Sequence, residues 1–353
     1  MNSIALPRSH ARSRRTLTLG GLVALLTVTV LWSLCCGAMD LSVHEVIGAL
    51  GRWLSGQTAH SDDLVVLMLR LPRVLLAMLV GAALACGGTA MQGLFRNPLA
   101  DPGLVGVSAG AALGAVTMIV LRGALGLAQS AITGSLAITV TAFAGGLLAT
   151  ALVYVLGRRR QGVATLLLAG VAINAIAMAG IGLLTFLANE NQLRDLTFWS
   201  LGSLGGTDWL RLAMVAPPIL FALVLLPRSA RALNALLLGD AQARLLGFRP
   251  ERLQPMLVAL VALAVSAAVS VSGVIGFIGL VVPHLLRLAW GPDHRILLPA
   301  SALGGAMLLT VADTLARTIV APAELPVGVL TALLGGPFFL WLMLRTRMGE
   351  VRV

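Results

Sequence analysis

The stretch "RLPRVLLAMLVGAALACGGTAMQGLFRNPLADPGLVGVSAG", residues 70–110, contains an apolar run, a short polar turn and the start of a second apolar run. Between Leu71 and Gly93 the only charged residue is Arg73, and a bilayer is crossed by about 20 apolar helical residues. Pro98 and Pro102 then interrupt helical structure, and "NPLADPG" has the composition of a turn. The stretch therefore predicts two membrane-crossing helices joined by a tight turn.

The same pattern continues along the chain. Of its 353 residues, 58% are hydrophobic and 11% are charged, a balance that excludes a soluble globular domain. We predict an all-α, polytopic membrane protein, one transmembrane domain over 1–353. The first apolar run is too long for a secretory signal peptide and lacks an A-x-A-like cleavage site. The ten predicted spans are residues 17–37, 71–93, 103–121, 134–156, 163–187, 210–227, 254–274, 276–290, 297–319 and 326–344.

The distribution of arginine predicts how the chain is oriented. One alternate set of connecting segments and both termini hold 18 arginines, and the other set holds 7. Positive residues are enriched in cytoplasmic loops, so the first set and both termini are expected in the cytoplasm. On that side lie an N-terminal segment (1–16), a polar segment (228–253) and a C-terminal tail (345–353). The net charge of +11 then reflects topology rather than nucleic-acid binding, because the arginines are not clustered with aromatic residues.

Residue types exclude several activities. The chain has no lysine, which a Walker A phosphate loop requires, so it is not itself expected to hydrolyse ATP. Cys35, Cys36 and Cys86 lie in apolar runs, which favours packing over a metal site or disulfides. His284 and His294 could ligate a metal or heme, but their position beside prolines at a helix end favours a capping or surface role. No catalytic motif is present.

Two features lie inside predicted spans: the acidic residue Asp313, and Gly106, Gly110 and Gly114, which form consecutive G-x-x-x-G steps in another span. An intramembrane acid such as Asp313 can serve as a proton or ion relay. Arg317 follows at i+4, so a structural ion pair with Asp313 is an equally good interpretation. The glycine series predicts close helix packing, in a bundle or at a dimer interface.

Several further stretches, with residues 70–110, resemble in order the FecCD-type permeases of type II ABC importers, which carry heme, iron siderophores or vitamin B12. They are "LLLAGVAINAI" (166–176), "GDAQARLLGF" (239–248), "SGVIGFIGLVVPHLLR" (272–287), "DHRILLPASALGGAMLLTVADTLAR" (293–317) and "ELPVGVLTALLGGPFFLWLM" (324–343). The resemblance implies a multi-pass protein of the bacterial inner membrane with ten spans and cytoplasmic termini.

The resemblance also implies partners. Two copies would form a homodimer within membrane lipid, two ATP-binding subunits would dock on the cytoplasmic side, and a periplasmic substrate-binding protein would dock outside. No cofactor is expected in this chain; ATP and Mg²⁺ would be bound by the partner ATPase. The ATPase would contact the second of two short helices in residues 228–253, through Gly239, Asp240, Ala243, Arg244, Leu246 and Gly247.

Spacing alone gives that segment two interpretations. Leu238, Ala241, Leu245 and Phe248 fall on one face, which predicts packing on the membrane domain, while Asp240 and Arg244 are spaced to pair at i, i+4. Alternatively, the segment is an amphipathic helix lying on lipid. Gly239 and Gly247 favour the first interpretation, because they would interrupt a long lipid-bound helix.

By the same resemblance, Arg70, Arg73 and Arg317 would bind carboxylates of the binding protein; otherwise they are interfacial anchors. Asn97 and Leu99 would narrow the cytoplasmic end of the pathway, with Val163 and Ala164 at the second constriction. Asn174, Met178 and Gly182, four residues apart, would line the pathway or form a packing face. "ANENQLRDLTFWSLGSLGG" (188–206) resembles the heme-importing branch most.

The expected function is therefore ATP-driven heme import. Import of a ferric siderophore or vitamin B12 by the same class is the alternative. A more distant alternative is an ion-coupled secondary transporter, which would require coupling-ion groups near the bilayer midplane.

Overall fold

The computed structural model describes residues 8–37, 39–56, 61–123, 126, 131–158 and 163–350, and these contain helices and no strand. The helices, in chain order, are α1 (Arg8–Cys35), α2 (Val43–Leu54), α3 (Ser61–Leu64), α4 (Leu71–Phe95), α5 (Val107–Leu121), α6 (Ala131–Arg158), α7 (Val163–Leu187), α8 (Glu190–Ser200), α9 (Trp209–Leu225), α10 (Ala230–Leu237), α11 (Asp240–Leu245), α12 (Pro250–Ser272), α13 (Ile278–Trp290), α14 (His294–Thr318) and α15 (Val327–Glu350). A π-helical segment (Val65–Arg70) leads into α4, and 3-10 turns precede α5 and α10.

Each of the ten predicted spans coincides with one helix. Seven of these are long and apolar enough to cross a membrane, whereas the apolar parts of α5, α13 and α15 are shorter. The prediction of a helical, polytopic membrane protein is confirmed, and ten crossings stay a prediction. The described part of the N-terminal segment 1–16 is helical and continuous with the first span, because α1 already begins at Arg8. Residues 1–7 and 351–353 lie outside the described part of the chain.

Helix α4 is the centre of the bundle, and nearly all its residues from Val74 to Phe95 are buried. It packs against α9, α12, α13 and α14. Glycines permit these close crossings: a Cβ on Gly81 would lie 2.1 Å from the carbonyl oxygen of Gly305 in α14, and one on Gly88 would lie 2.0 Å from that of Gly279 in α13. Backbones in contact at small residues are the usual way helices associate in lipid.

The predicted glycine series also mediates packing. A Cβ on Gly110 would lie 2.4 Å from the Gly145 carbonyl oxygen of α6, and one on Gly114 would lie 2.2 Å from that of Thr141. Gly106 differs, because it precedes α5 with φ 85°, a left-handed conformation that favours glycine. The series therefore joins α5 to α6 within one chain.

The ion pairs between connecting segments join residues that are predicted to lie on the same side of the membrane. Arg52–Asp63, Arg73–Glu324 and Arg122–Asp195 each join residues from the segments predicted to lie outside. Arg96–Asp240 and Arg244–Glu251 each join residues from the segments predicted to be cytoplasmic. The charge-derived alternation of segments is thus consistent with the fold, while the identity of the cytoplasmic end stays a prediction.

Candidate functional site

The three arginines predicted to dock a binding protein come together at one end of the bundle. With Glu324 they line a cavity of about 450 Å³, whose wall also includes Gly37, Met39, Val65, Leu69, Gly206, Thr207, Ala321 and Pro322. Three guanidinium groups and one carboxylate in one concave surface give it a positive character. The family resemblance grouped the three arginines but did not include Glu324, which lies in the loop before α15.

Arg70 is the most enclosed of the three, with 5% of its surface exposed. Its Nη1 donates to the carbonyl oxygens of Leu34 (2.6 Å) and Cys35 (2.9 Å), and its Nη2 donates to that of Met39. Those are carbonyl groups at and after the C-terminal end of α1, which the helix itself leaves without partners. Arg70 therefore holds the end of α1 in place at the cavity wall.

Arg73 binds two carboxylates at once. Its Nε and Nη2 donate to Asp313 (Nη2–Oδ1 2.9 Å), and its Nη1 donates to Glu324 at 2.9 Å. Asp313 is 1% exposed, so its charge is compensated by Arg73. The predicted i, i+4 pair of Asp313 with Arg317 is wrong: the planar guanidinium of Arg73, on α4, makes the bidentate contact that α14 alone does not.

Arg317 instead extends from α14 to α1. Its Nη2 donates to the carbonyl oxygen and the hydroxyl oxygen of Ser33. Within the described residues its buried Nε has no hydrogen-bond partner. Arg317 thus lines the cavity without making an ion pair in the described residues, whereas Arg73 is paired with two carboxylates. Docking of a binding protein at all three stays a prediction.

At the opposite end, Asn97 and Leu99 form the predicted tight turn after α4. The Asn97 side-chain oxygen accepts the Leu99 N–H at 2.9 Å, and the Ala100 N–H donates to the Asn97 carbonyl oxygen at 3.1 Å. Asn97 is exposed and Leu99 is 54% exposed, so both are available to a pathway or to a second protein surface. Their role as a gate stays a prediction. Of the second constriction, Ala164 is exposed at the start of α7, and the Val163 side chain is outside the described residues.

Asp101 ends this turn and begins the next element. Its side chain accepts the Gly103 N–H at 2.8 Å and so caps the 3-10 turn Pro102–Val105. Burial raises the pKa of the Asp101 carboxyl, and the Gly103 N–H acts in the opposite direction. The turn is held from α7 as well, because the Asn174 side chain donates to the Gly103 carbonyl oxygen at 3.2 Å.

Residues 228–253 form the two short helices that the sequence predicts, α10 and α11. α10 is amphipathic and its apolar face is buried, with Leu233 and Leu236 almost inaccessible. Gly239 (φ 112°) and Gly247 (φ 86°) flank α11 in conformations that L-side chains rarely adopt. The prediction that these glycines interrupt the helix is confirmed.

The predicted faces of α11 are wrong. Leu238 and Leu245 are exposed by 62% and 89%, and Ala241 is exposed too. Only Phe248 of that set packs against the core, and Ala243 is the buried residue of α11. Leu238 precedes α11 and is separated from it by the change of direction at Gly239, whereas Ala241 and Leu245 share one face of α11 and that face is exposed in this chain. α11 therefore presents Leu245 and Leu246 (59% exposed) to a surface outside this chain.

The expected Asp240–Arg244 pair is also wrong. Asp240 pairs with Arg96 at the end of α4, and the Arg244 Nη2 donates to Glu251 at 2.5 Å. Asp240 is the first residue of α11 and Arg244 lies in its last turn. Each charge therefore interacts favourably with the helix dipole, even though the two side chains do not pair with each other. Arg96 carries no spacing signal that would have connected it to this segment.

The residues predicted to line the pathway lie on α7, a helix with an exposed apolar surface. Met178 is 61% exposed, and Gly182 has no neighbouring atom within 4 Å of an added Cβ. Asn174 is half-buried against the 3-10 turn. Because Met178 is exposed, it does not belong to an internal packing face of this chain. That these residues line a pathway stays a prediction.

The histidines have no metal-site arrangement. In the part of the chain that the structure describes, no three His, Cys, Asp or Glu residues are placed to hold a metal ion. His294 is buried, and its backbone N–H and Nδ1 contact the Asn234 side-chain oxygen at 3.0 and 2.8 Å. His284 contacts the Phe338 ring edge-on. The N-cap of α14 is Asp293, and His294 is a buried residue of its first turn, so the expected capping or surface role is wrong for His294.

Comparisons with known proteins agree with this architecture. Residues 25–345 match the model of the FecCD transport family. The hemin transport system permease protein HmuU of Yersinia pestis is 49% identical over 341 residues, covering 96% of this chain and 98% of that protein. The vitamin B12 import system permease protein BtuC of Klebsiella pneumoniae is 41% identical over 342 residues, covering 95% of each.

A solved ABC transporter in an inward-facing conformation, provisionally described as of the metal-chelate type, has the same fold. It matches with a TM-score of 0.81 and 32% identity, covering 93% of this chain and 98% of that one. The family match extends over nearly all of the helical bundle, and the identities are well above those of a shared fold alone. The chain is an integral membrane permease of the ABC transporter class, and it belongs to the FecCD transport family.

Proposed function

We propose that this chain is the membrane-spanning subunit of a binding-protein-dependent ABC importer that carries heme from the periplasm to the cytoplasm. The observation that carries the proposal is that two surfaces of different chemistry lie at opposite ends of one bundle. One end has the arginine-lined cavity, and the other has α11 with its exposed leucines. A protein that transfers force from an ATPase to a ligand pathway requires both.

ATP hydrolysis would occur in another subunit, which would bind ATP and Mg²⁺; the absence of the lysine that a Walker A loop requires supports this. Two such subunits would bind α11 from each of two permease copies. The second copy would contact exposed apolar residues of α7 and α15, such as Leu168, Val171, Met178, Leu333 and Leu334, and membrane lipid would cover those that remain exposed. Both termini and residues 228–253 would lie in the cytoplasm of a bacterial cell, by the arginine distribution.

Heme is the proposed cargo because the Yersinia pestis relative is a hemin permease and is more similar than the vitamin B12 relative. Among the residues assigned to the pathway, Asn174, Met178 and Gly182, the Met178 thioether is the one group of a type that ligates heme iron. Cobalamin or a ferric siderophore is the alternative cargo, favoured by the 41% identity with the vitamin B12 permease.

Reconstitution into proteoliposomes with the cognate ATPase and binding protein tests the proposal. Uptake of hemin, cobalamin and a ferric siderophore is measured in parallel, with ATP or with an imposed proton gradient. We expect hemin uptake that requires ATP. Uptake of another ligand alone would reject the heme assignment, and uptake driven by the proton gradient without ATP would reject the ABC importer.

Docking of the binding protein is tested with Arg317→Gln, because Arg317 lines the cavity and makes no ion pair within the described residues. Loss of one charged hydrogen bond, about 1.5 kcal/mol, should weaken affinity about tenfold. Arg194→Gln is the matched control, since Arg194 is exposed on α8 outside the cavity. Equal affinity of the two variants would contradict docking at this cavity.

A further inference from the structure

We infer that Arg96 is a positioning residue that joins the ATPase-coupling helix α11 to the turn that narrows the cytoplasmic end of the pathway. The inference rests on the proposed function, and it names a residue outside the sets predicted for coupling or gating. Its starting point is the conformation of Arg96. It ends α4 in the left-handed region, with φ 52° and ψ 32°.

A long charged side chain is unusual there. Glycine or asparagine is favoured at the left-handed end of a helix, and other residues are disfavoured sterically. Among the described residues, Arg96 and Phe277 are the non-glycine residues with positive φ. Such conformations persist where surrounding contacts hold them. For Arg96, those contacts are the backbone hydrogen bonds that end α4 and the bonds of its guanidinium group.

That guanidinium group binds both sides of the α10–α11 junction. Its Nε donates to the carbonyl oxygen of Leu236, in the last turn of α10, at 2.6 Å. Its Nη2 donates to the carboxylate of Asp240, the first residue of α11. One planar group thus fixes the position of the end of α10 relative to the start of α11.

The junction is rigid because α10 is anchored in two further ways. Leu233 and Leu236 are buried in the main core. The Asn234 side chain donates to Asp293 at 2.6 Å and accepts from the backbone N–H of His294, which ties α10 to the start of α14. A displacement of α11 is therefore opposed by α10, and it is transmitted through Asp240 to Arg96.

On the other side, Arg96 is covalently next to Asn97. The Asn97 N–H donates to the Gln92 carbonyl oxygen at 3.1 Å, and the Asn97 side chain holds Leu99. The path from the Asp240 carboxylate to the turn is thus one ion pair and one residue long. The other ion pair of this segment, Arg244–Glu251, joins two residues within 228–253 and does not contact the turn after α4.

The test compares Arg96→Gln with Arg122→Gln in the assembled importer. The control is closely matched: both arginines follow a helix as its C-cap and make one ion pair, and their side chains are 37% and 33% exposed. Arg122 pairs with Asp195 at the opposite end of the bundle. Ligand uptake and ATP hydrolysis are measured on the same proteoliposomes, with whichever of hemin, cobalamin or ferric siderophore the wild type transports.

We expect Arg96→Gln to transport about tenfold less ligand per ATP hydrolysed, corresponding to the loss of one charge-assisted contact. Its basal ATP hydrolysis and its copurification with the ATPase should equal those of the wild type. Arg96→Lys, which keeps the positive charge opposite Asp240, should recover most of the transport. Asp240→Asn should give the same loss, and the double variant with Arg96→Gln should be no worse than either single one.

Three results would overturn the inference. They are an equal transport-to-hydrolysis ratio in Arg96→Gln and Arg122→Gln, failure of Arg96→Gln to copurify with the ATPase, and additive losses in the double variant. If the wild type itself shows no ATP-driven uptake, the proposed function fails, which is a separate outcome from failure of the Arg96 contact.

Discussion

Replacement of Asp313 tests how the buried charge in α14 is compensated. Asp313→Asn leaves a side chain of similar size but removes the charge that binds Arg73. The three Arg73–Asp313 hydrogen bonds are 2.9–3.1 Å long, and the carboxylate is 1% exposed. Breaking a buried pair by removing one partner costs about 3–5 kcal/mol.

Two features of the structure reduce that cost. Arg73 keeps its contact with Glu324 at 2.9 Å, and the group borders a cavity that admits water. We therefore expect Asp313→Asn to lower the free energy of unfolding by about 2–3 kcal/mol. In double-mutant cycles, the coupling of Asp313 to Arg73 should be about 1–3 kcal/mol. The coupling of Asp313 to Arg317 should be smaller than its coupling to Arg73, because the three side-chain hydrogen bonds of Asp313 are made with Arg73.

Unfolding by SDS in mixed micelles, followed by the fluorescence of the six tryptophans, measures these free energies. The variants are Arg73→Gln, Arg317→Gln and Asp313→Asn, singly and in pairs. A larger coupling of Asp313 to Arg317 than to Arg73 would refute the assignment and restore the i, i+4 pair. A cost of Asp313→Asn below about 0.5 kcal/mol would show that the pair is not effectively buried.

Three further predictions use the same unfolding assay. Gly81→Ala should lower the free energy of unfolding by about 1–3 kcal/mol, because the new Cβ would lie 2.1 Å from the Gly305 carbonyl oxygen. Gly20→Ala is the control and should not lower it, because no atom lies within 4 Å of a Cβ added there. Asp101→Ala should cost about 1 kcal/mol by leaving the Gly103 N–H without its acceptor, whereas Asp101→Asn, which keeps an acceptor oxygen, should not destabilise at neutral pH. Leu245→Ser should change unfolding by less than about 0.5 kcal/mol, since the side chain is 89% exposed, yet weaken copurification with the ATPase.

The pH dependence distinguishes the Asp101 variants further. Burial raises the pKa of this carboxyl in the folded protein, so its protonated form is favoured by folding. The resulting stability is present below the ordinary carboxyl pKa and is lost as pH rises through the raised value. Asp101→Asn should lack this loss and be at least as stable as wild type at neutral pH. A wild type that gains stability over this range, relative to Asp101→Asn, would contradict the pKa direction.

Much of the fold follows from local sequence. The apolar runs locate the spans because the bilayer admits only helices whose backbone groups are internally bonded. The prolines of "NPLADPG" end α4, and Gly239 and Gly247 end the short helices, because backbone conformation at these positions depends on the residue itself. Family membership likewise follows from motifs that lie in order along the chain.

Charge partners could not be predicted in the same way. Periodicity compares residues three or four apart, and so it suggested Asp313 with Arg317 and Asp240 with Arg244. The actual partners, Arg73 and Arg96, lie 240 and 144 residues away. A buried charge takes the partner whose geometry satisfies it best, and the geometry is set by helix packing.

The sequence by itself thus determined the membrane class, the helical spans, the turn after α4 and the family. The tertiary structure alone decided that α4 crosses α14 at Gly81 and Gly305, that Arg73 compensates Asp313, and that Arg96 reaches α11. The physical reason is that helix formation in lipid is a local property of the chain. Close packing and charge pairing instead depend on which distant residues the packed bundle brings within a few ångströms of each other.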